Sequence, residues 1–550
     1  MLVSCLIYSD VIHHEFVYDD YELVVNNAAI RDFSLNGIFS LFKNRDYANF
    51  LPIRMLSYSL DYLIWKENPV GYHITNIVLH AMNSALVIIF TSLLLNKSNR
   101  REKKGANAFS AVAAGLFFAV HPLHVEAVAW ISGRKEVLYS FFFLSGMIVH
   151  ICRRNNPGFM GGGAGFVAVV VCMVASQLSK GTAVAFPFAV LLIDILFFMN
   201  EKKLKMADWM EHAGLFAVTF SIVAVNMKMA VENETYFGLF GGNVTAHILT
   251  IVKIVPFYLS KTIWPFNLSI EYGVPVSYSL IDRTVLLSVG ILASGIAAVI
   301  FLWKRVPMAA FGILFFVVAL GPTLNVIPFG VFAADRYTYL ALMGPAVVAA
   351  LISGNIKECR GIKRTASSLL MLAFLLLFIY ATHIRNADWE NQETLWKSAV
   401  NVSPGVARAH VGLGRVYMFD NRFDEAETQF RKALESEPDD VNTYVNLSLL
   451  YVRSGKPEKA AEILSEGLVY HPGEISLCYN MSASCLALGD YECAARFLAP
   501  VMAVKPDYLM TKHLFPVILN KLREDLGEMK YGEFIKSLNI SGKESSRERR

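Results

Sequence analysis

The sequence predicts an all-α protein in two parts, a polytopic membrane helix bundle of about 11 spans followed by an α-solenoid of short repeats. Apolar stretches long enough to cross a bilayer recur through the first two thirds of the chain. Hydrophobic residues make up 55% of the 550 positions and charged residues 17%, which is too apolar for an ordinary soluble domain. Four prolines, at 404, 438, 472 and 506, stand 34 residues apart in the last third.

The membrane part is predicted from length and composition. Bilayer hydrocarbon is roughly 30 Å thick, so a helix needs about 20 apolar residues to cross it. Stretches that meet or approach this length lie near 72–95, 107–121, 137–152, 163–180, 183–199, 211–230, 284–302, 307–322, 338–354 and 366–383. The first eight residues are apolar but short, and we interpret them as a partial first helix that begins in the cytoplasm. Together with the ten stretches above, this helix gives eleven predicted spans.

Lysine and arginine predict the orientation, because cytoplasmic connections are enriched in them. The basic connections are 97–104, 153–154, 202–205, 304–305 and 357–364. All of them can be cytoplasmic only if 243–263, which contains Lys253, Pro256 and Lys261, is an interfacial or re-entrant helix. The non-cytoplasmic side would then hold the loops 13–70, 121–136, 231–283 and 321–337, together with the whole repeat module.

The 34-residue period is the length of one tetratricopeptide repeat, a helix-turn-helix that buries its apolar face only by stacking on its neighbours. The first unit has small and large residues where the two helices meet, at Leu413, Gly414, Tyr417, Ala426, Phe430, Ala433 and Pro438. The second unit keeps Tyr444, Leu447, Tyr451, Ala460, Leu464 and Pro472, and the third is weaker. We therefore predict a transmembrane domain over 1–384, tetratricopeptide repeats over 385–520 and a charged tail over 521–550. Such repeats either bind proteins or, in a short stack, only brace the membrane part.

Charge and cysteine content exclude some classes of function. A net charge of +4 over this length gives no reason to expect a nucleic-acid partner. The seven cysteines contain no CxxC pair. Cys478 and Cys485 lie seven residues apart on a predicted helix, and we expect small core residues there rather than a disulfide or metal ligands.

An acid pair, Asp19 and Asp20, follows the first partial helix on the predicted outer side. Neighbouring like charges push two pKa values apart, so one carboxylate can act as a general base while the other orients it or shares a proton. Adjacent surface acids are also common without any function. The pair is therefore a candidate catalytic site, and both interpretations stay open.

The second outer loop and the start of a later membrane helix contain the other candidates. Arg134, Lys135 and Arg336 could hold a phosphate group, or could be ordinary interfacial anchors. His121, His124 and Glu126 are candidate substrate-binding residues, and a metal is not expected because the sequence places no fourth ligand near them. The polar residues His73, Asn76, His80 and Asn83 share one helix face, which predicts hydrogen bonds between helices.

Several segments resemble a known family. They are FVYDD (16–20), NPVGYHITNIVLH (68–80), HPLHVEAVAWISGRKEVL (121–138) and ADRYTYL (334–340), followed by the repeats. Together they are similar to the transmembrane and tetratricopeptide-repeat protein family, relatives of the protein O-mannosyltransferases of the GT-C class. The resemblance implies an 11-span bundle that glycosylates Ser or Thr hydroxyls outside the cytoplasm. It also implies that the catalytic base belongs to the Asp19–Asp20 pair.

The resemblance implies a polyprenyl-phosphate sugar as donor, such as dolichyl or bactoprenyl phosphate mannose, with no separate cofactor. The expected partners are this donor, acceptor proteins or peptides bound by the repeats, and membrane lipid, without nucleic acid. A carboxylate would take the acceptor proton while cations neutralise the departing lipid phosphate. The competing hypothesis is a non-catalytic membrane scaffold that assembles protein partners through its repeats. A transporter is a third alternative, and it would need a continuous polar path through the bundle.

Overall fold

The computed structural model describes residues 1–43, 50–98, 104–156, 158–161, 163–199, 205–232, 238–273, 275–328, 331–359 and 361–538. All structural statements below concern these residues. The chain divides into two compact units, Met1–Leu395 and Trp396–Arg550. The regular elements within the described ranges are all helical, which confirms the predicted all-α class.

The first unit is built from long apolar helices. They are Pro69–Ser98, Lys104–Val120, Arg134–Asn155, Gly163–Ser179, Phe186–Ile193 with the π-helical turn Asp194–Phe198, Met206–Glu232, Arg283–Leu302, Pro307–Leu320, Met343–Glu358 and Gly361–Ala387. Each predicted full-length span coincides with one of these helices. Shorter helices precede them at Leu2–Ile7, Leu35–Leu41 and Pro52–Trp65, and short helical turns such as Pro122–His124 and Asp335–Thr338 lie in the predicted outer loops or at their ends.

The apolar helices of the first unit differ in length, and not all of them are long enough to cross a membrane. Seven helices in the described residues are long and apolar enough to cross a membrane, and an eighth is added if Asn107–Val120 and Pro122–Ala129, bent by 54°, form one span. Three further apolar helices, Gly163–Ser179, Pro307–Thr323 and Met343–Ile356, are shorter. The eleven predicted crossings therefore stay a prediction.

The stretch Val244–Ile263 is one of the seven, although the sequence favoured an interfacial or re-entrant helix. It consists of two helices, Val244–Ile251 and Ile254–Ile263, with Lys253 at the junction. The Lys253 ammonium donates to the Pro275 carbonyl oxygen at 2.5 Å and to the Ser277 hydroxyl at 2.8 Å. This lysine is thus held by polar groups of the following loop, and the interfacial or re-entrant placement of 243–263 stays a prediction.

The second unit contains the repeats. Its helix pairs are Ala407–Phe419 with Phe423–Ser436, Val441–Arg453 with Pro457–Tyr470, and Ile475–Ala487 with Tyr491–Val504, followed by the helix Thr511–Ser537. The predicted register is confirmed, because Ala426 and Phe430 of the first repeat and Leu447 and Leu464 of the second repeat are completely buried. Gly414 faces Phe430, whose ring would lie 2.6 Å from a side-chain carbon at position 414.

One cysteine prediction needs correction. Cys485 is not a free core residue but forms a disulfide with Cys493, and the two Cα atoms are 5.8 Å apart. The turn between the two helices of the third repeat brings them together, because Cys485 lies in the last turn of Ile475–Ala487 and Cys493 in the first turn of Tyr491–Val504. Cys478 is free and buried, as predicted.

Candidate functional site

Several of the predicted outer-side residues meet around the indole ring of Trp130, which is 1% exposed. The ring of Tyr18 lies 5.7 Å from the indole between centroids. The ammonium nitrogen of Lys135 lies 5.2 Å from the centre of the indole, and the guanidinium carbon of Arg336 lies 5.6 Å from it. The acid-pair segment, the second outer loop and the turn Asp335–Thr338 therefore converge on one side of the membrane unit.

Asp20 joins the first of these segments to the second. Its side chain is completely buried, and one carboxylate oxygen accepts hydrogen bonds from the Ser132 amide at 2.8 Å and the Ser132 hydroxyl at 2.5 Å. The other oxygen accepts from the Val17 amide at 3.0 Å. Burial raises the pKa of Asp20 to about 7, against the lowering effect of these hydrogen bonds. Asp20 therefore binds its own segment to the second outer loop, residues 121–136, which we call the Trp130 loop.

Asp19 has different surroundings. Its side chain is half-buried, and within the described ranges it makes no hydrogen bond or ion pair. The preceding residue, Tyr18, has a φ of 54°, a left-handed conformation that is costly for a bulky side chain. Asp19 is thus an available carboxylate on a segment fixed by Asp20, which agrees with unequal roles for the pair.

Two cations remain candidates for a phosphate site. Lys135 is half-buried over Trp130 and has no carboxylate within ion-pair distance in the part of the chain that is described. Arg336 forms an ion pair with Glu126, and the other carboxylate oxygen of Glu126 accepts a hydrogen bond from the Arg336 amide at 2.8 Å. Glu126 thus orients Arg336, which is 9% exposed. This role of Glu126 is an alternative to the contact with substrate that the sequence predicts for it.

Arg134 lies in a different environment from Lys135. Its guanidinium is completely buried, donates to the Asp61 carboxylate at 2.7 Å and the Tyr72 carbonyl at 2.8 Å, and also bonds the amide oxygen of Asn76. All three of its guanidinium nitrogens donate to protein groups, the third to the Ser57 hydroxyl at 3.4 Å. This occupancy argues against the predicted lipid-phosphate role of Arg134, so the proposal below rests on Lys135 and Arg336.

The two predicted substrate-binding histidines are also engaged inside the protein. His121 and His124 are completely buried. His121 donates to the Thr262 carbonyl at 3.0 Å, and the nitrogens of His124 lie 2.7 and 3.2 Å from the carbonyl oxygens of Phe118 and Tyr339. These contacts hold loops and helices together and argue against direct contact with substrate.

The polar face predicted on one membrane helix does connect helices. Asn76 donates to the Trp130 carbonyl at 2.9 Å, and Asn83 donates to the Val137 carbonyl at 2.8 Å. His80 lies 2.8 Å from the Tyr339 hydroxyl. The predicted hydrogen bonds between helices are confirmed, and they position the Trp130 loop.

The structure adds contacts of Gly133 and Asp335, which lie in the quoted segments 121–138 and 334–340, and of Tyr272, which lies in none of those segments. Gly133 follows Ser132 where a side-chain carbon would lie 2.6 Å from the Ala127 carbonyl oxygen, so the loop backbone is tightly packed. Tyr272 donates to the Asp335 carboxylate at 2.5 Å, and burial raises the pKa of Asp335 above its usual range. Of these three residues, Tyr272 gave no signal in the sequence, since it belongs to no motif. Across the described residues, no three His, Cys, Asp or Glu side chains form a group that could hold a metal ion.

Fold and site together define a class of protein, a polytopic helical membrane protein with tetratricopeptide repeats and with acidic and basic groups gathered around one outer loop. Residues 407–440 match the tetratricopeptide repeat family. This match agrees with the register deduced from the proline spacing.

Comparison with curated proteins makes the relationship more specific. The chain is 25% identical to the protein O-mannosyl-transferase F38B6.6 of Caenorhabditis elegans over 75% of this chain and 59% of the relative. It is 24% identical to TMTC4 of Mus musculus, covering 75% of this chain and 62% of that protein, and 24% identical to TMTC1 of Homo sapiens, covering 77% and 53%. Both carry the name protein O-mannosyl-transferase. The predicted resemblance is confirmed, and the chain spans between half and two thirds of these relatives' length.

Proposed function

We propose that this protein is a GT-C-type glycosyltransferase that transfers a sugar from a polyprenyl phosphate to Ser or Thr hydroxyls of proteins. By analogy with its named relatives, this sugar is mannose. The observation that carries the proposal is that Tyr18, which precedes the available carboxylate of Asp19, lies against the Trp130 ring together with Lys135 and Arg336. Transfer from a lipid phosphate needs a base for the acceptor and positive charge for the leaving group.

The proposed reaction uses these groups as follows. The Asp19 carboxylate takes the proton of the acceptor hydroxyl as its oxygen bonds to the anomeric carbon of the sugar. The bond between that carbon and the phosphate oxygen breaks, and the lipid phosphate leaves with the electron pair. Lys135 and Arg336 stabilise the negative charge that develops on the phosphate. The scheme requires no cofactor apart from the donor itself.

We place this chemistry and the repeats on the non-cytoplasmic side. The positions of the basic connections in the sequence favour that orientation. The Cys485–Cys493 disulfide supports it independently, because disulfides persist in oxidising compartments and are rare in the reducing cytosol. Donor, acceptor and repeats would then share one compartment.

The proposal is tested with purified protein in detergent or liposomes. Radiolabelled mannosyl phosphoryl polyprenol, with either a dolichyl or a bactoprenyl chain, is incubated with Ser- and Thr-containing peptides, and transfer to peptide is counted. The proposal predicts that the peptide becomes labelled. Treatment with base should release this label by β-elimination, as expected for a sugar linked to a Ser or Thr oxygen. Absence of transfer from all donors, combined with stable binding of protein partners, would instead favour the non-catalytic scaffold.

A further inference from the structure

The repeat module has an uneven distribution of charge. The first helices of the three repeats, Ala407–Phe419, Val441–Arg453 and Ile475–Ala487, contain three arginines and no aspartate or glutamate. The second helices contain eight acidic residues, namely Asp424, Glu425, Glu427, Glu435, Glu458, Glu462, Glu466 and Glu492. Their basic residues are Arg431, Lys432, Lys459 and Arg496. Only the first helices therefore contain arginines without any acidic residue in the same set of helices.

Exposed residues of the first helices form a regular pattern, which we call the arginine face. Its members are Arg408, Arg415, Phe419, Asn442, Leu449 and Arg453. In each of the first two repeats three members occupy positions i, i+7 and i+11, a spacing that places them along one side of a helix. Equivalent helices of stacked repeats lie next to one another and build an extended binding surface.

Contacts join the two halves of the arginine face. The guanidinium carbon of Arg453 lies 5.1 Å from the centre of the Phe419 ring in the preceding repeat. Phe419 is 56% exposed and Leu449 is 39% exposed, so apolar surface lies open beside the charge. A cation stacked on an exposed aromatic ring is pre-arranged for an anionic group next to an apolar one.

The arginines of this face differ from those of the second helices in their partners. Arg415 and Arg453 form no ion pair within the described ranges. Arg431 pairs with Glu427 at 2.9 Å and Arg496 with Glu492 at 2.7 Å. The second helices thus neutralise these two arginines internally, whereas Arg415 and Arg453 keep their charges available.

We infer that the arginine face binds an extended, acidic polypeptide segment with apolar side chains between its carboxylates. Carboxylates would pair with Arg415 and Arg453, and an apolar side chain would lie on Phe419 and Leu449. Charge complementarity selects this occupant, since the face has no acidic residue of its own to repel it. Binding of this kind goes beyond the proposed sugar transfer and does not depend on it, because no donor takes part.

The test uses the full chain in detergent. A fluorescein-labelled peptide of twelve residues, in which glutamate alternates with leucine and serine, is titrated and its anisotropy is recorded without any sugar donor. The same peptide with every glutamate replaced by glutamine is the matched probe. We expect the acidic peptide to bind at least about tenfold more tightly, and its affinity to fall as salt rises, because exposed ion pairs are screened.

Variants locate the site. The double variant R415E/R453E should weaken binding of the acidic peptide by about tenfold or more, and R415Q/R453Q by less. K432E/K459E makes the same change of charge on the second helices and should bind as the wild type does. Circular dichroism melting of each variant separates loss of binding from loss of folding, and the glutamine variant still reports if the glutamate variant unfolds.

Three outcomes would overturn the inference. The first is equal affinity for the glutamate and glutamine peptides. The second is an equal effect of R415E/R453E and K432E/K459E, which would indicate a general charge effect. The third is displacement of the peptide by phosphatidylserine vesicles but not by excess unlabelled acidic peptide, which would assign the face to an anionic lipid surface.

Discussion

Two neighbouring acids differ because of what surrounds them. Asp20 is buried and accepts hydrogen bonds from Val17 and Ser132, whereas the Asp19 side chain is half-buried and keeps its oxygens available. The bonds of Asp20 fix the backbone that carries Asp19. We therefore assign the base to Asp19 and a positioning role to Asp20, as part of the proposed mechanism.

The pKa of Asp20 predicts a pH dependence of transfer. Because burial raises this pKa to about 7, Asp20 is ionised above that pH and becomes protonated below it. Protonation removes one acceptor from the hydrogen bonds that hold the Asp19 segment, so transfer by the wild type should fall as the pH drops through 7. In Asp20→Asn the rate should be several-fold lower and this step should be absent. An unchanged pH profile in the variant would contradict the positioning role.

The two remaining cations predict a defect in donor use. Lys135→Gln removes a charge that no protein carboxylate neutralises in the described residues, so the apparent KM for the lipid-linked sugar should rise about tenfold or more. Arg336→Lys should act in the same direction, because lysine does not reproduce the directional guanidinium contacts. Lys43→Gln, an exposed change in the predicted outer loop 13–70, is the control. Equal KM values in all four proteins would remove Lys135 and Arg336 from the site.

At the scale of elements, the repeats depend on shared apolar faces. Tyr417 is 6% exposed between the helices of its repeat, and Leu447 is completely buried in the next one. Tyr417→Asp or Leu447→Asp places an unpaired charge in this core and should lower the melting temperature of the module, with membrane insertion intact. Val469→Asp, at a position that is 78% exposed, should have little effect. Equal melting of all three variants would show that the register is wrong.

At the scale of the whole molecule, the eleven predicted crossings would put the two chain ends on opposite sides of the membrane. If the chain starts in the cytoplasm, the module after residue 384 lies outside it. A phosphatase reporter fused after Arg385 should be active only when exported, and a cytoplasmic reporter at the same position should be inactive. Activity of the cytoplasmic reporter would require an even number of crossings and would contradict the proposed orientation.

The sequence predicted those features that repeat along the chain. Apolar length located the membrane helices, and the 34-residue period located the repeats and their buried residues. Contacts between distant segments leave no such pattern. The bond between Asp20 and Ser132 joins residues 112 positions apart, and Arg134 and Lys135 look alike in sequence although only the first is saturated by protein partners. The sequence could therefore nominate the charged groups of the site but could not say which were already occupied.

The central claim is that Asp19 is the base of a glycosyltransferase, and a comparison of two variants tests it most directly. Asp19→Asn keeps the size of the side chain and removes the base, whereas Glu22→Gln makes the same chemical change at an exposed position on the same segment. Label transferred from mannosyl phosphoryl polyprenol to a Ser/Thr peptide is measured for both. The account predicts a loss of about 100-fold or more for Asp19→Asn and wild-type transfer for Glu22→Gln. Wild-type transfer by Asp19→Asn would contradict it.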